Sequence, residues 1–264
     1  MTSAIDRRTL ITDVGLQVAC GSTHVLLGPN GAGKSTTFKM MCGLLRPSEG
    51  TAHVDGLDLY KAPAAARARL GYMAQKFSLY GDLSTQQNLE FFAGAYGLSG
   101  ARRKDAVARV TEAFDLGPHL KANAGELPLG YKQRLALSCA IMHEPPVLFL
   151  DEPTSGVDPI ARDGFWQAMI DLSRRDKVTI FISTHFMNEA ERCDRISLMH
   201  AGRVLASDTP AALQAASGAD CLEAAFIGYL EQAASRPAVT EAPAAPPTPQ
   251  PRNTRHAATA RFSL

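Results

Sequence analysis

The sequence predicts an α/β fold: a mixed β-sheet core with helices packed on it and a helical insertion. Three observations predict it. A glycine-rich nonapeptide, Gly28-Pro29-Asn30-Gly31-Ala32-Gly33-Lys34-Ser35-Thr36, fits G-x-x-x-x-G-K-[ST] and stands between an apolar run (24–27) and an amphipathic segment (37–42). Two further apolar runs, 147–150 and 178–183, have strand length and lead into titratable residues. Between about 83 and 125 the strand-like pattern gives way to helical periodicity. The strand–loop–helix order around the nonapeptide is that of a P-loop NTPase, so the chain is expected to bind a nucleoside triphosphate.

Taken in order, residues 9–18 alternate loosely between polar and apolar and read as strand material, and Gly21-Ser22 turns the chain into the strand before the P-loop. Gly43 stands where a helix C-cap glycine belongs, with Pro47 after it. Residues 50–56 and 70–75 read as two short strands, the second ending in Gln75. Ser84 and Gln87 have capping-box spacing, and Leu89, Phe92 and Tyr96, then Val107, Val110 and Phe114, form helical stripes expected in the core. The α/β alternation resumes with a helix over 135–142, the strand 147–150, a helix around 165–172 and the strand 178–183. A hairpin (196–199 and 203–206) and a last helix over 222–233 follow. Residues 1–234 are thus expected to form one domain with its helical part inserted at 83–125. Residues 235–264, rich in Pro and Ala, are expected to form an extended tail or linker.

Composition narrows the function classes. Of 264 residues 45% are hydrophobic, enough for a sizeable core, and a formal net charge of +1 gives no electrostatic case for sequence-specific nucleic-acid binding. Five scattered cysteines without C-x-x-C spacing suggest neither a disulfide framework nor a zinc site, which points to a reducing, cytoplasmic compartment. No run approaches the roughly 18 apolar residues that a bilayer span requires, and the first residues lack the apolar stretch of a signal peptide. Any membrane is therefore expected to be reached through a partner.

The residue types fit phosphate chemistry. Glycines let backbone N–H groups converge on phosphate oxygens, the following helix contributes its positive end, Lys34 reaches the β- and γ-phosphates, and Ser35 has a hydroxyl for Mg²⁺. Asp151 and Glu152 close an apolar strand at the ligand edge of a parallel sheet. Asp151 is there expected to hold Mg²⁺, and Glu152 to act as general base on the attacking water. His185 follows the next strand and is expected at the same edge, as a catalytic partner on the γ-phosphate or the water. Gln75 carries both a donor and an acceptor, which suits a bridge between Mg²⁺, water and a moving segment.

In order and spacing, these segments resemble the nucleotide-binding domain of the ATP-binding cassette (ABC) transporters over nearly all of 9–234. They are the P-loop at 28–36, Gln75, Leu127-Pro128-Leu129-Gly130-Tyr131-Lys132-Gln133-Arg134, the stretch 147–152, Ser155-Gly156-Val157-Asp158 and His185. Details within 127–130, 151–159 and 182–192 resemble the exporter branch (ABC-2, multidrug), and above all the second cassette of a ribosome-associated ABC ATPase. The resemblance implies an ATPase whose two cassettes meet head to tail, each ATP lying between the P-loop of one and the signature loop of the other. It implies ATP and Mg²⁺ as ligands, and as partners a second cassette, identical or different, and an ABC-2 type permease. The chain would then sit peripherally on the inner face of the membrane. The segment from Gln75 through Phe77-Ser78-Leu79-Tyr80 to the helical insertion would pass on the motion. A soluble ATPase acting on the ribosome and a vestigial or regulatory cassette are the alternatives.

Two departures stand out. Where the family signature reads L-S-G-G-Q, this chain has Leu127, Pro128, Leu129, Gly130 and Tyr131, and Pro128 offers neither a hydroxyl nor an N–H. Pairing with a cassette that has an intact signature would leave one competent site, built on this P-loop. The family also stacks adenine on an aromatic ring ahead of the P-loop, whereas no Phe, Tyr or Trp precedes Phe38 here and Ile5 falls near that place. Losing such stacking costs on the order of 1 kcal/mol.

Overall fold

The computed structural model describes Ile11, residues 14–235 and residues 260–263. Its strands, in chain order, are β1 (Gly15–Val18), β2 (Thr23–Leu27), β3 (Thr51–Val54), β4 (Leu57–Asp58), β5 (Leu70–Met73), β6 (Val147–Asp151), β7 (Thr179–Thr184), β8 (Arg195–His200), β9 (Arg203–Asp208) and β10 (Ala260–Ser263). The helices are α1 (Lys34–Met41), α2 (Pro63–Arg67), α3 (Thr85–Ala95), α4 (Gly100–Ala113), α5 (Leu129–Ile141), α6 (Pro159–Arg174), α7 (Met187–Ala190), α8 (Pro210–Ser217) and α9 (Leu222–Ser235).

Six strands form the central sheet in the order β5-β6-β7-β2-β8-β9, parallel except for the antiparallel β8–β9 hairpin. Every residue of β2, β6 and β7 is buried, because a parallel sheet is covered on both faces. Phe38 on α1 packs against Phe149 and Phe181 on one face, in a core shared with Leu16, Val18, Ala52 and Val54 of β1 and β3. The other face carries the larger core, where Leu148, Leu150 and Ile182 meet Leu135 and Leu137 of α5 and Trp166 of α6. The loop from β2 and the ends of β6 and β7 leave the sheet at the same edge, since Asp151 pairs with Ser183 and Leu27 with Thr184.

The stretch between Leu83 and Ala124 is closed at its base. Thr85 N–H donates to Ala122 O and Ala124 N–H to Leu83 O, both at 2.9 Å, and Ser84 caps α3 with the reciprocal Gln87 bond that the sequence spacing predicts. Leu89, Val110 and Phe114 are buried, with Phe92, Tyr96 and Val107 packed against them.

Some expectations change. Helix α5 begins at Leu129, six residues before the predicted 135, because Pro128 takes the N-cap, where a missing N–H breaks no helical bond. Helix α8 was not expected, although Thr209 caps it, Pro210 opens it and Gly218 ends it with φ +67°. The tail was expected to be extended linker throughout. Residues 236–259 lie outside the described residues, but Ala260–Ser263 forms β10, antiparallel to both β1 and β3 in the middle of the small sheet β1-β10-β3-β4. Ile5 also lies outside the described residues.

Candidate active site

The site is built where the loop after β2 meets the ends of β6 and β7. Gly28 lies against the chain beneath it: a Cβ there would sit 2.3 Å from Met199 O, so no larger residue fits. Gly33 is the N-cap of α1 at φ +104°, a conformation that glycine adopts freely, and it supplies no side-chain acceptor to the first turn. No acidic residue stands in that turn either. The opening N–H groups of α1, together with the helix dipole, therefore face outward as donors suited to an anion.

Lys34 is buried, donating from Nζ to Gly28 O (2.7 Å) and Pro29 O (3.1 Å), with Glu152 Oε1 3.5 Å away. Burial lowers its pKa, opposed by the carboxylates of Glu152 and Asp151. Asp151, buried at the end of β6, accepts from Ser183 Oγ (2.5 Å) and from Ser35 Oγ (3.2 Å) through Oδ1. Burial raises its pKa, while the two hydroxyls and Lys34 pull the other way. The pair of hard oxygen donors from Ser35 and Asp151 fits Mg²⁺, which takes one or two protein oxygens and completes its shell with phosphate and water. Among the described residues no cluster of three His, Cys, Asp or Glu side chains could hold a metal by itself.

Glu152 is the hub. Its carboxylate is 7% exposed, accepts from Gln75 Nε2 at 2.8 Å on one oxygen, and lies 3.5 Å from both Lys34 Nζ and His185 Nδ1 on the other. The residue sits at φ +48°, held there by backbone donation to Ser183 O (3.1 Å) and Oγ (3.0 Å). A non-glycine residue in the left-handed region persists only where its surroundings fix it, and such positions gather at functional sites. The predicted Lys34, Ser35, Asp151, Glu152, His185 and Gln75 are thus brought together. Gln75, expected beside the cation as well, is found on Glu152. Of the remaining P-loop residues, Pro29, Asn30 and Gly31 are exposed on the loop, Ala32 is buried in the core, and Thr36 lies in the first turn of α1.

Sequence reasoning missed Ser183. It supplies the shortest bond to Asp151 and two of the contacts that set Glu152, yet a serine in an apolar strand announces nothing. The signature stretch does not touch the P-loop residues of its own chain in any of these bonds. Leu129 lies against Gly156, and a Cβ on Gly130 would sit 3.0 Å from Ala161 Cβ, so the start of α5 packs on the loop before α6 and on the first turn of α6, which Asp158 caps.

The sequence profile of the ABC transporter family matches residues 11–155. The chain is 54% identical over 219 residues to the "Probable multidrug ABC transporter ATP-binding protein YbhF" of Escherichia coli (strain K12), covering 81% of this chain but 38% of that relative. It is 40% identical over 218 residues to the "Nod factor export ATP-binding protein I" of Burkholderia orbicola (strain AU 1054), covering 82% of this chain and 71% of the relative. The fold superposes on the dimeric post-hydrolysis state of an ATP-binding cassette bound to ADP and Pi with a TM-score of 0.70. The two are 25% identical, over 76% of this chain and 90% of that one. The profile match, these relatives and the P-loop joined to Asp151, Glu152 and His185 place the chain in the ABC transporter family, as one of its ATP-hydrolysing, ATP-binding domains.

Proposed function

We propose that this chain is the ATP-hydrolysing subunit of an exporter-type ABC system and works through a partner ABC-2 type permease as one of a pair of cassettes. The observation that carries the reading is the Glu152 carboxylate, set between Gln75, Lys34 and His185 at the edge where the P-loop opens.

The first-turn N–H groups of α1 and Lys34 Nζ bind the β- and γ-phosphates, and Ser35 Oγ and Asp151 would hold Mg²⁺. When bound, that ion neutralises charge that develops on the phosphate oxygens. Glu152 takes the proton of the attacking water on the oxygen that Gln75 leaves open. His185, next to that oxygen, orients the water or the γ-phosphate. Gln75 ties the carboxylate to the segment that leads through Tyr80 to α3. There Tyr80 (50% exposed) and Phe91 (47%) stack edge to face at 4.8 Å and offer an apolar foothold for a membrane partner. Among the described residues no helix is long and apolar enough to cross a membrane, which fits attachment to the inner face through such a partner.

The altered signature is less damaging than its sequence suggests. Pro128 removes a hydroxyl and an N–H, but α5 starts directly behind it, so the amides of Leu129, Gly130 and Tyr131 remain a helix N-terminus that can face a phosphate of the opposite cassette. The ordered cluster of Asp151, Glu152 and His185 argues against a vestigial cassette. No feature of the site or of the relatives above favours a ribosomal role.

The test is Glu152→Gln. Nucleotide affinity measured by calorimetry should stay within about threefold while kcat falls by roughly 10²–10⁴. Turnover close to that of the parent protein would remove Glu152 from the role.

A further inference from the structure

Glu189, on the short helix α7, is 1% exposed and is absorbed by none of the roles above. A buried carboxylate is costly unless it is paired and hydrogen-bonded, and each oxygen of this one accepts a hydrogen bond. One oxygen accepts from Thr154 Oγ1 and has Arg162 Nε 3.8 Å away, and the other accepts from Thr184 Oγ1 at 2.6 Å. Both threonines are 1% exposed. Arg162 in turn donates to Val157 O at 3.1 Å, in the loop before α6, and lies over the Phe186 ring at 5.0 Å.

The placement of the threonines matters more than their number. Thr154 lies two residues beyond Glu152, after β6, and Thr184 is the last residue of β7, directly before His185. Strands β6 and β7 are parallel neighbours whose register ends at Asp151 and Ser183, and one more backbone bond, Glu152 N–H to Ser183 O, follows. Beyond it the ladder stops, so no further rung of the sheet joins the segment after Glu152 to the one that carries His185. The Glu189 carboxylate bridges those segments just past the last rung. Well-packed apolar side chains would hold the same space at no electrostatic cost, so the bridge is better explained by the geometry it fixes than by stability.

We infer that Glu189 is a positioning residue that sets the spacing between the Glu152 carboxylate and the His185 ring by tying Thr154 to Thr184. The inference deepens the assignment of Glu152 and His185 and rests on it. It also couples the spacing to the start of α6 through Arg162, the side on which the signature stretch packs.

The experiment compares Glu189→Gln and Thr154→Val with the parent chain by three readouts: kcat and KM, nucleotide affinity, and the imidazole ¹⁵N resonances of His185. Glu189→Gln keeps the shape but loses one acceptor and the attraction to Arg162. Displacing a reacting group by a fraction of an ångström lowers kcat about tenfold, with nucleotide affinity unchanged within twofold. The His185 resonances should move in the same variant without nucleotide. Thr154→Val should act in the same direction, and the double variant should be no slower than Glu189→Gln alone, because both cut one bridge. Unmoved His185 resonances in folded Glu189→Gln, or a lower melting temperature with kcat intact, would overturn the inference. The resonance readout needs no turnover, so a failure of Glu152 as general base, seen in Glu152→Gln, remains distinguishable from a failure of Glu189.

Discussion

At the scale of single residues, the site is a set of charges that burial alone would disfavour. Lys34, Asp151 and Glu152 lie within one network at the sheet edge, each 7% exposed or less. Asp151 is raised from its ordinary value because desolvation, with the Glu152 charge adding to it, outweighs the bonds from Ser183 and Ser35 and the attraction of Lys34. The sign of the linkage follows. A carboxyl that holds its proton more tightly when folded costs stability as pH rises from the ordinary value of about 3.9 toward its folded value. Asp151→Asn should therefore raise the unfolding midpoint of the nucleotide-free protein at neutral pH, while abolishing Mg²⁺-dependent hydrolysis. Thermal melts from pH 4 to pH 8 check it, and a variant less stable than the parent throughout would contradict it. Most of these residues were legible in the sequence, because each stands in a motif or at a strand end. Ser183 and Glu189 were not, because their work depends on which strands are neighbours.

At the scale of elements, helix α3 shows how local code and tertiary use combine. The Ser84–Gln87 capping box fixes where the helix begins, and Asn88, fully buried, donates from Nδ2 to Tyr80 O, Leu83 O and Ser84 O while accepting from Tyr80 N–H. One amide thus pins the turn that carries Tyr80 to the helix that carries Phe91. If this corner is the permease contact, Tyr80→Ala should leave the hydrolysis of the isolated chain within about twofold, since surface changes away from the site are mild. Stimulation by the reconstituted permease should be lost. Unchanged stimulation in proteoliposomes would move the contact elsewhere. Helix α5 makes the opposite point: it starts at Leu129 rather than at 135, although Pro128 and Gly130 are poor residues for a helix interior. In the fold they open the helix and allow its close approach to α6.

At the scale of the whole molecule, the bonded cluster is drawn from β2, β5, β6 and β7 and the loops that follow them, while the start of α5 packs on α6, away from it. A P-loop and a signature that do not meet within one chain can meet between two. ATP hydrolysis by the purified chain should therefore rise more steeply than linearly with protein concentration if it pairs with itself. It should be near background at all concentrations, with ATP still bound, if it needs a different cassette. A rate proportional to concentration throughout the range, from a monomer by light scattering, would contradict pairing. The small sheet adds a second long-range feature, because β10 separates β1 from β3 and both pair with it rather than with each other.

The sequence by itself determined the fold class, the P-loop, the strand ends that carry Asp151, Glu152 and His185, and the capped helix α3. Each is written in local patterns, such as glycine spacing, apolar runs and capping chemistry, that act over a few residues. Only the tertiary structure decided that Gln75 sits on Glu152, that Ser183 holds both acids, that Glu189 joins Thr154 to Thr184, and that residues 260–263 pair between β1 and β3. The physical reason is common to all four: the partners are brought together by strand order or by chain reversal, which residue type and spacing along the chain do not encode.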